Sequence, residues 1–134
     1  MPSYSLTADG DIRPSRFVKL ATGTAGRVAE CDAGEQIYGV SGPSVRNAPY
    51  STLDDGLHAV AGEGVLVYGP PEKDVMLELG GTVTRGQFLK SDADGKGVAS
   101  TADQERVGAI ALDSGTSGKL IPVQLLPPME RSLT

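Results

Sequence analysis

The feature that most constrains this chain is an internal echo. Arg16-Phe17-Val18-Lys19 matches Gln87-Phe88-Leu89-Lys90, Gly26-Arg27-Val28-Ala29 matches Lys96-Gly97-Val98-Ala99, and Tyr38-Gly39-Val40 matches Val107-Gly108-Ala109. The pieces keep their order about seventy residues apart, the signature of a duplicated structural unit. In the second copy, residues 87–91 and 97–100 read as short strands around Asp94-Gly95. Asp-Gly between apolar runs predicts a hairpin with a type I′ turn, which needs positive φ at both central residues. The two copies, about 16–41 and 87–112, predict a chain of two β-rich halves.

The rest of the chain agrees with short strands and tight turns. Candidate strands fall at 16–21, 27–31, 36–41, 57–60, 64–68, 75–79, 107–112 and 119–126, with Gly or Pro between them. That spacing predicts a barrel or sandwich of short antiparallel strands with little or no helix. Residues 107–112 are apolar on both faces and belong in the middle of a sheet, whereas Pro122 lacks an N–H and belongs at an edge or bulge. Pro127-Pro128 predicts the end of the last strand, leaving 127–134 as a tail. The only helical pattern, 102–106, spans a single turn.

Two stretches fall outside the strand pattern. Residues 1–15 place Tyr4, Leu6, Ile12 and Arg13 along a polar thread between Pro2 and Pro14. They read as a frayed terminus or as an extended arm that docks on a neighbouring subunit, adding a strand to an exposed sheet edge. Residues 42–56 form a long connection carrying Val45, Arg46 and Tyr50. Tyrosine and arginine are enriched at interfaces, and loops of this length are often functional. These seven residues are the candidate interface, with 16–126 as a single β-rich body.

Composition excludes several classes of function. At 134 residues the chain suits one domain with a real core, filled by aliphatic side chains since there is no Trp. A net charge of −5 with both signs scattered leaves no basic block for phosphates, so nucleic-acid binding is not expected. No apolar run approaches the ~20 residues that span a bilayer, and the N-terminus lacks the pattern of a signal peptide. A single cysteine, Cys31, excludes an internal disulfide and suits synthesis in a reducing cytoplasm.

Catalytic and metal motifs fail on spacing. His58 is the only histidine, so a two-histidine zinc site cannot form. Cys31 reads as a small buried thiol rather than a nucleophile. Gly115-Thr116-Ser117-Gly118-Lys119 lacks the first glycine of a phosphate-binding loop and has Leu120 where magnesium needs a hydroxyl. Asp92-Ala93-Asp94-Gly95 begins like an EF-hand loop, but Lys96 occupies a ligand position. Gly39-Val40-Ser41-Gly42 lacks the spacing of a nucleophile elbow, and Asp54-Asp55 before Gly56 is first a turn. The residues point away from an enzyme and from a cofactor.

Five segments, in order, carry a resemblance. They are Gly10-Asp11-Ile12-Arg13-Pro14-Ser15-Arg16-Phe17-Val18-Lys19, residues 34–40 (GEQIYGV), 77–96 (LELGGTVTRGQFLKSDADGK), 107–112 (VGAIAL) and 117–125 (SGKLIPVQL). Together they resemble the capsid cement, or head decoration, proteins of tailed bacteriophages; residues 42–56 have no counterpart in that pattern. The resemblance implies a small β-rich virion protein on the outer surface of the expanded capsid. It further implies a homotrimer at three-fold or quasi-three-fold positions, bridging neighbouring major capsid proteins and stabilising the head. Two other readings of the residues stand beside it: another phage morphogenesis component, such as a head–tail connector or tail protein, and a carbohydrate-binding β-module. The second has few aromatic rings on which to stack a sugar.

Overall fold

The computed structural model describes residues 6–21, 26–43, 57–60, 62–69, 72–100 and 106–130, with side chains described as far as 126. Every regular element among them is a strand. The first half holds β1 (Leu6–Ala8), β2 (Phe17–Leu20), β3 (Arg27–Glu30), β4 (Gly39–Ser41), β5 (Gly64–Val65) and β6 (Val67–Tyr68). The second holds β7 (Val75–Glu78), β8 (Phe88–Ser91), β9 (Gly97–Ala99), β10 (Arg106–Ala111) and β11 (Leu120–Glu130).

Each half is a small ring of strands. In the first the order is β5-β1-β3-β2-β4-β6. The outermost strands β5 and β6 are separated only by Leu66, so the sheet comes back on itself and has no long open edge. In the second the order is β7-β11-β10-β8-β9, and a parallel bridge, Leu79 to Gly97, joins the two ends. The rings are copies in detail. β2 lies between β3 and β4 as β8 lies between β9 and β10. β1 meets β3 in parallel at Ala8–Val28, as Leu79 meets Gly97. The Asp9 N–H donates to the Val28 carbonyl at 2.8 Å, and the Gly80 N–H to the Gly97 carbonyl at 2.9 Å. The copy therefore extends well beyond 16–41 and 87–112, taking in β1, β5 and β6 on one side and β7 and β11 on the other.

Local chemistry explains why the sequence folds this way twice. Each ring contains two tight turns built alike, in which a bridging residue is followed three positions later by a residue of positive φ. The bridges are Ile12 with Ala59 and Val83 with Gly115. The positive φ values fall at Ser15 (57°), Gly62 (87°), Gly86 (92°) and Gly118 (88°). Glycine enters this region without steric cost, whereas a side chain pays roughly 1–2 kcal/mol. Ser15 is the exception, and its turn has a substitute bond. The Ser41 hydroxyl donates to the Arg13 carbonyl at 2.7 Å and accepts from the Arg16 N–H at 3.1 Å. It stands between the two groups that bond directly in the other turns, as where Gln87 N–H donates to the Thr84 carbonyl.

Alternation fills the interiors. Val75, Leu77 and Leu79 point inward along β7 as the period-2 pattern requires. The first ring encloses Ala8, Ile12, Val18, Val28, Ala59 and Val65. A larger cluster fills the second ring with Leu77, Leu79, Val83, Leu89, Ile121 and Val123, and continues through Phe17, Cys31, Ile37 and Val40 of the first half. The two rings thus share a core across their junction. Each fully buried Leu, Ile or Phe contributes about 1.5–3 kcal/mol relative to exposure.

Several expectations are corrected. Leu6–Ala8 pairs with β3 and β5, and Ile12 is fully buried, so residues 6–15 are woven into the first ring rather than extended as an arm. Polar residues between apolar ones hide a strand whose inward side chains are few and small. The hairpin around Asp94-Gly95 pairs Ser91 with Gly97, but only Gly95 has positive φ (77°), so the turn is not type I′. Asp92 organises it instead, its Oδ1 accepting from the N–H groups of Asp94 (2.8 Å) and Lys96 (2.9 Å). In the repeat, Gly39 aligns with Ala109 rather than Gly108, because Gly39 pairs with Val18 and Ala109 with Leu89. Likewise Val28 aligns with Gly97 rather than Val98, because Val28 pairs with Leu20 and Gly97 with Ser91. Of residues 57–60 only Ala59 forms a bridge.

The prolines of β11 also differ from expectation. β11 lies between β7 and β10, so Pro122 is not on a sheet edge. Its carbonyl accepts from Leu112 N–H at 3.1 Å, and β10 ends at Ala111. The bond that proline cannot donate would fall beyond that strand's end. Nor do Pro127 and Pro128 end β11, which runs to Glu130. Between the pairs Ala109–Leu125 and Val107–Met129 the register shifts, leaving both prolines in a bulge where no N–H is needed. β10 is central, as its two apolar faces predict. Residues 102–105 of the predicted helical turn lie outside the described residues.

Candidate interaction surfaces

Beside the shared apolar core, the junction of the rings brings together a group of charged residues. Glu30 holds Arg13 by three bonds, from its N–H (2.6 Å), Nε (3.0 Å) and Nη2 (2.8 Å). Arg16 is buried, with Nη1 donating to the Asp94 carbonyl at 3.0 Å and Nη2 to Glu78 Oε1 at 3.3 Å. Its Nε has no partner among the described residues. Lys96 approaches the other Glu78 oxygen at 3.5 Å. Three backbone bonds cross the seam: Phe17 N–H to the Gly95 carbonyl (2.7 Å), Glu78 N–H to the Ser15 carbonyl (2.9 Å) and Gly34 N–H to the Ser91 carbonyl (3.4 Å). The Glu30 hydrogen bond raises the Arg13 pKa above its usual value. The chemistry of this cluster is that of a strut between the rings.

The predicted interface residues separate accordingly. Ile12 is interior, and Leu6 is half-buried against the first ring's cluster. Arg13 is committed to Glu30 within its own chain. Tyr4, Val45, Arg46 and Tyr50, with residues 44–56, lie outside the described residues. Asp92 spends one oxygen on its turn, and Asp94 lies 3.7 Å from Arg13. His58 accepts at Nε2 from the Leu66 N–H at 3.1 Å. Burial pushes the Cys31 thiol up to about 12, so it remains protonated and unreactive at neutral pH.

A second surface was not legible in the sequence. An open cleft of about 290 Å³ is lined by Lys19, Leu20, Glu35, Gln36, Tyr38 and Arg106. Lys19 Nζ donates to Glu35 at 2.8 Å with Asp32 at 3.9 Å, which raises Lys19 and lowers Glu35 from their ordinary pKa values. Leu20 beside them is 54% exposed. Leu20 ends β2 at the ring's rim, where the interior opens to solvent. At or below the ~300–1,000 Å³ of small-molecule pockets, the cleft has the dimensions of a docking feature for a side chain.

No protein-family model and no curated protein sequence matches the chain. Among solved structures, it is similar to the head fiber gp8.5 N base of bacteriophage phi29. The two share a TM-score of 0.56 and 16% identity over 96% of this chain and 97% of that one. At that identity the likeness establishes a common fold.

Proposed function

We propose that the chain is a structural protein of a phage head, bound to the outer surface of the capsid and acting by contact rather than catalysis. The observation that carries this reading is the fold shared, nearly end to end, with the base of a phage head fibre. The resemblance of five ordered sequence segments to capsid cement proteins points the same way. On this reading the protein contacts the major capsid protein, bridges neighbouring subunits and stabilises the expanded head, as a homotrimer at three-fold or quasi-three-fold positions. Two rings cross-braced by Arg16–Glu78 and Arg13–Asp94 make a body suited to carrying load between subunits. Individual contacts near the lower limit of specific interfaces, ~1,000 Å², act together when several sit on one assembly.

The test uses particles with and without the protein. Shells lacking it are expected to release DNA or rupture at lower temperature, and purified protein to restore the difference by binding expanded shells. Equal heat resistance removes the stabilising role. The likeness to a fibre base favours one second reading, in which the chain anchors a projecting fibre. Shells lacking it would then keep their heat resistance and lose a projection visible by electron microscopy. A low copy number at one vertex would instead favour a connector.

A further inference from the structure

The contact between the two rings is asymmetric. The first ring offers the outer face of its strands, where Phe17, Cys31 and Val40 are buried to within 1%. The second offers its rim. The Gly95 carbonyl accepts from Phe17, and the Ser91 carbonyl accepts from Gly34 N–H at 3.4 Å. A Cβ on Gly108 would sit 2.8 Å from Ile37. Face meets rim, and both surfaces recur elsewhere in the chain.

Because the rings are copies, each junction surface has a counterpart left over. The counterpart of the Phe17–Val40 pair on β2 and β4 is Phe88–Ile110 on β8 and β10. There the aromatic and aliphatic side chains, with nearby Val98, are only half-buried. The counterparts of Ser91 and Gly108 on the rim are Leu20 and Tyr38. Leu20 is more than half exposed, Tyr38 is half-buried, and both line the same cleft. Among the described residues, a single chain therefore carries an apolar face without its rim and an apolar rim without its face.

We infer that a second copy of this chain docks its Leu20–Tyr38 rim on the Phe88–Ile110 face, in the face-to-rim arrangement that joins the rings within one chain, with Leu20 and Tyr38 where the inner rim has Ser91 and Gly108. The occupant is a second copy because the junction within the chain shows the equivalent face, Phe17–Val40, accepting the equivalent rim, Ser91–Gly108. The contact is heterologous, since each chain uses different surfaces toward its two neighbours. Such contacts close into a cyclic oligomer when the rotation permits and otherwise run on as a filament. The inference is independent of what the chain attaches to.

Sedimentation at about 0.1 mM, well above the ~μM constants of weak specific pairs, reads the contact. The natural chain is expected at a multiple of its 13.8 kDa. Leu20→Glu is expected at the single-chain mass with its melting temperature unchanged, because that side chain is largely in solvent. A single-chain mass for the natural protein, or an unchanged multiple for Leu20→Glu, overturns the proposal. Mixed Leu20→Cys and Lys90→Cys chains then fix the direction, Lys90 lying on the face of Phe88. Disulfide-linked pairs containing one chain of each kind are expected under oxidation; links only between like chains, or none, contradict head-to-tail docking.

Discussion

The two rings reach the same backbone with different side chains, and the difference shows what the fold requires. At the parallel bridge the first ring sets Ala8 against Val28, and the second sets Leu79 against Gly97. Each pair divides the same number of side-chain carbons, one small partner to one larger. A Cβ on Gly97 would come 2.5 Å from Leu77, so the larger partner had to move to the opposite strand. Volume is held across the pair while each position varies, the pattern that close-packed interiors tolerate best. The turns vary similarly, with Ser15 and the Ser41 hydroxyl in one ring where glycine and a direct bond serve in the other. The connections vary most: residues 42–58 join β4 to the Ala59 bridge, and 112–114 do the same work before Gly115. Ring closure does not need the longer stretch.

The largest test of the comparison removes a strand. If β1 is the counterpart of β7, a chain beginning at Arg16 loses the strand between β3 and β5 together with buried Ala8 and Ile12. That loss is comparable to the whole ~5–15 kcal/mol of a domain's stability. Cooperative melting by circular dichroism is expected to disappear or to shrink to one ring. A full-size transition at the original temperature would mean that the segment is an arm after all. Next in size, Phe17→Ala is expected to cost about 3–5 kcal/mol in urea unfolding. Phe88→Ala, at the half-buried counterpart, is expected to cost about half as much in the single chain. Equal costs would remove the distinction between a covered and an open face.

The bridge pair gives a smaller and sharper test. Leu79→Ala opens a cavity and is expected to cost about 2–5 kcal/mol, and Gly97→Val alone overpacks against Leu77. Together they install the first ring's pair in the second, and the double variant is expected to be more stable than the two costs added, by ~0.5–3 kcal/mol. Simple additivity would mean that the two sites do not share one volume.

The smallest effect concerns the Lys19–Glu35 pair at the cleft. Lys19 and the Asp32 N–H hold Glu35 below its ordinary value of 4.5. The pair's stabilisation is therefore present above pH ~4.5 and lost as pH falls through the lowered value. Lys19→Met is expected to return the Glu35 carboxyl titration, followed by NMR, toward the ordinary range. An unmoved midpoint would assign the shift to the Asp32 N–H alone.

Much of this fold was legible in the residues, and the gaps have physical reasons. β2, β3, β7, β8 and β9 were readable because apolar alternation and flanking glycines marked both faces and both ends. β1 was not, because a strand that contributes little beyond Ala8 to an interior has no visible period. Pro122 and Pro127-Pro128 misled because proline forbids only a hydrogen bond, and ladder ends and bulges have positions that need none. The candidate surfaces were the least legible. Arg13 looked available because its partner Glu30 lies on another strand. Leu20 went unmarked because alternation does not reveal where a strand leaves the ring.

The most direct test of the account is a pair of through-hydrogen-bond NMR couplings, from Asp9 N to the Val28 carbonyl carbon and from Gly80 N to the Gly97 carbonyl carbon. The duplicated-ring account predicts both, since the two bonds close equivalent parallel contacts. If the first coupling is seen and Gly80 bonds elsewhere or not at all, the second half is an open sheet, and the rings are not copies.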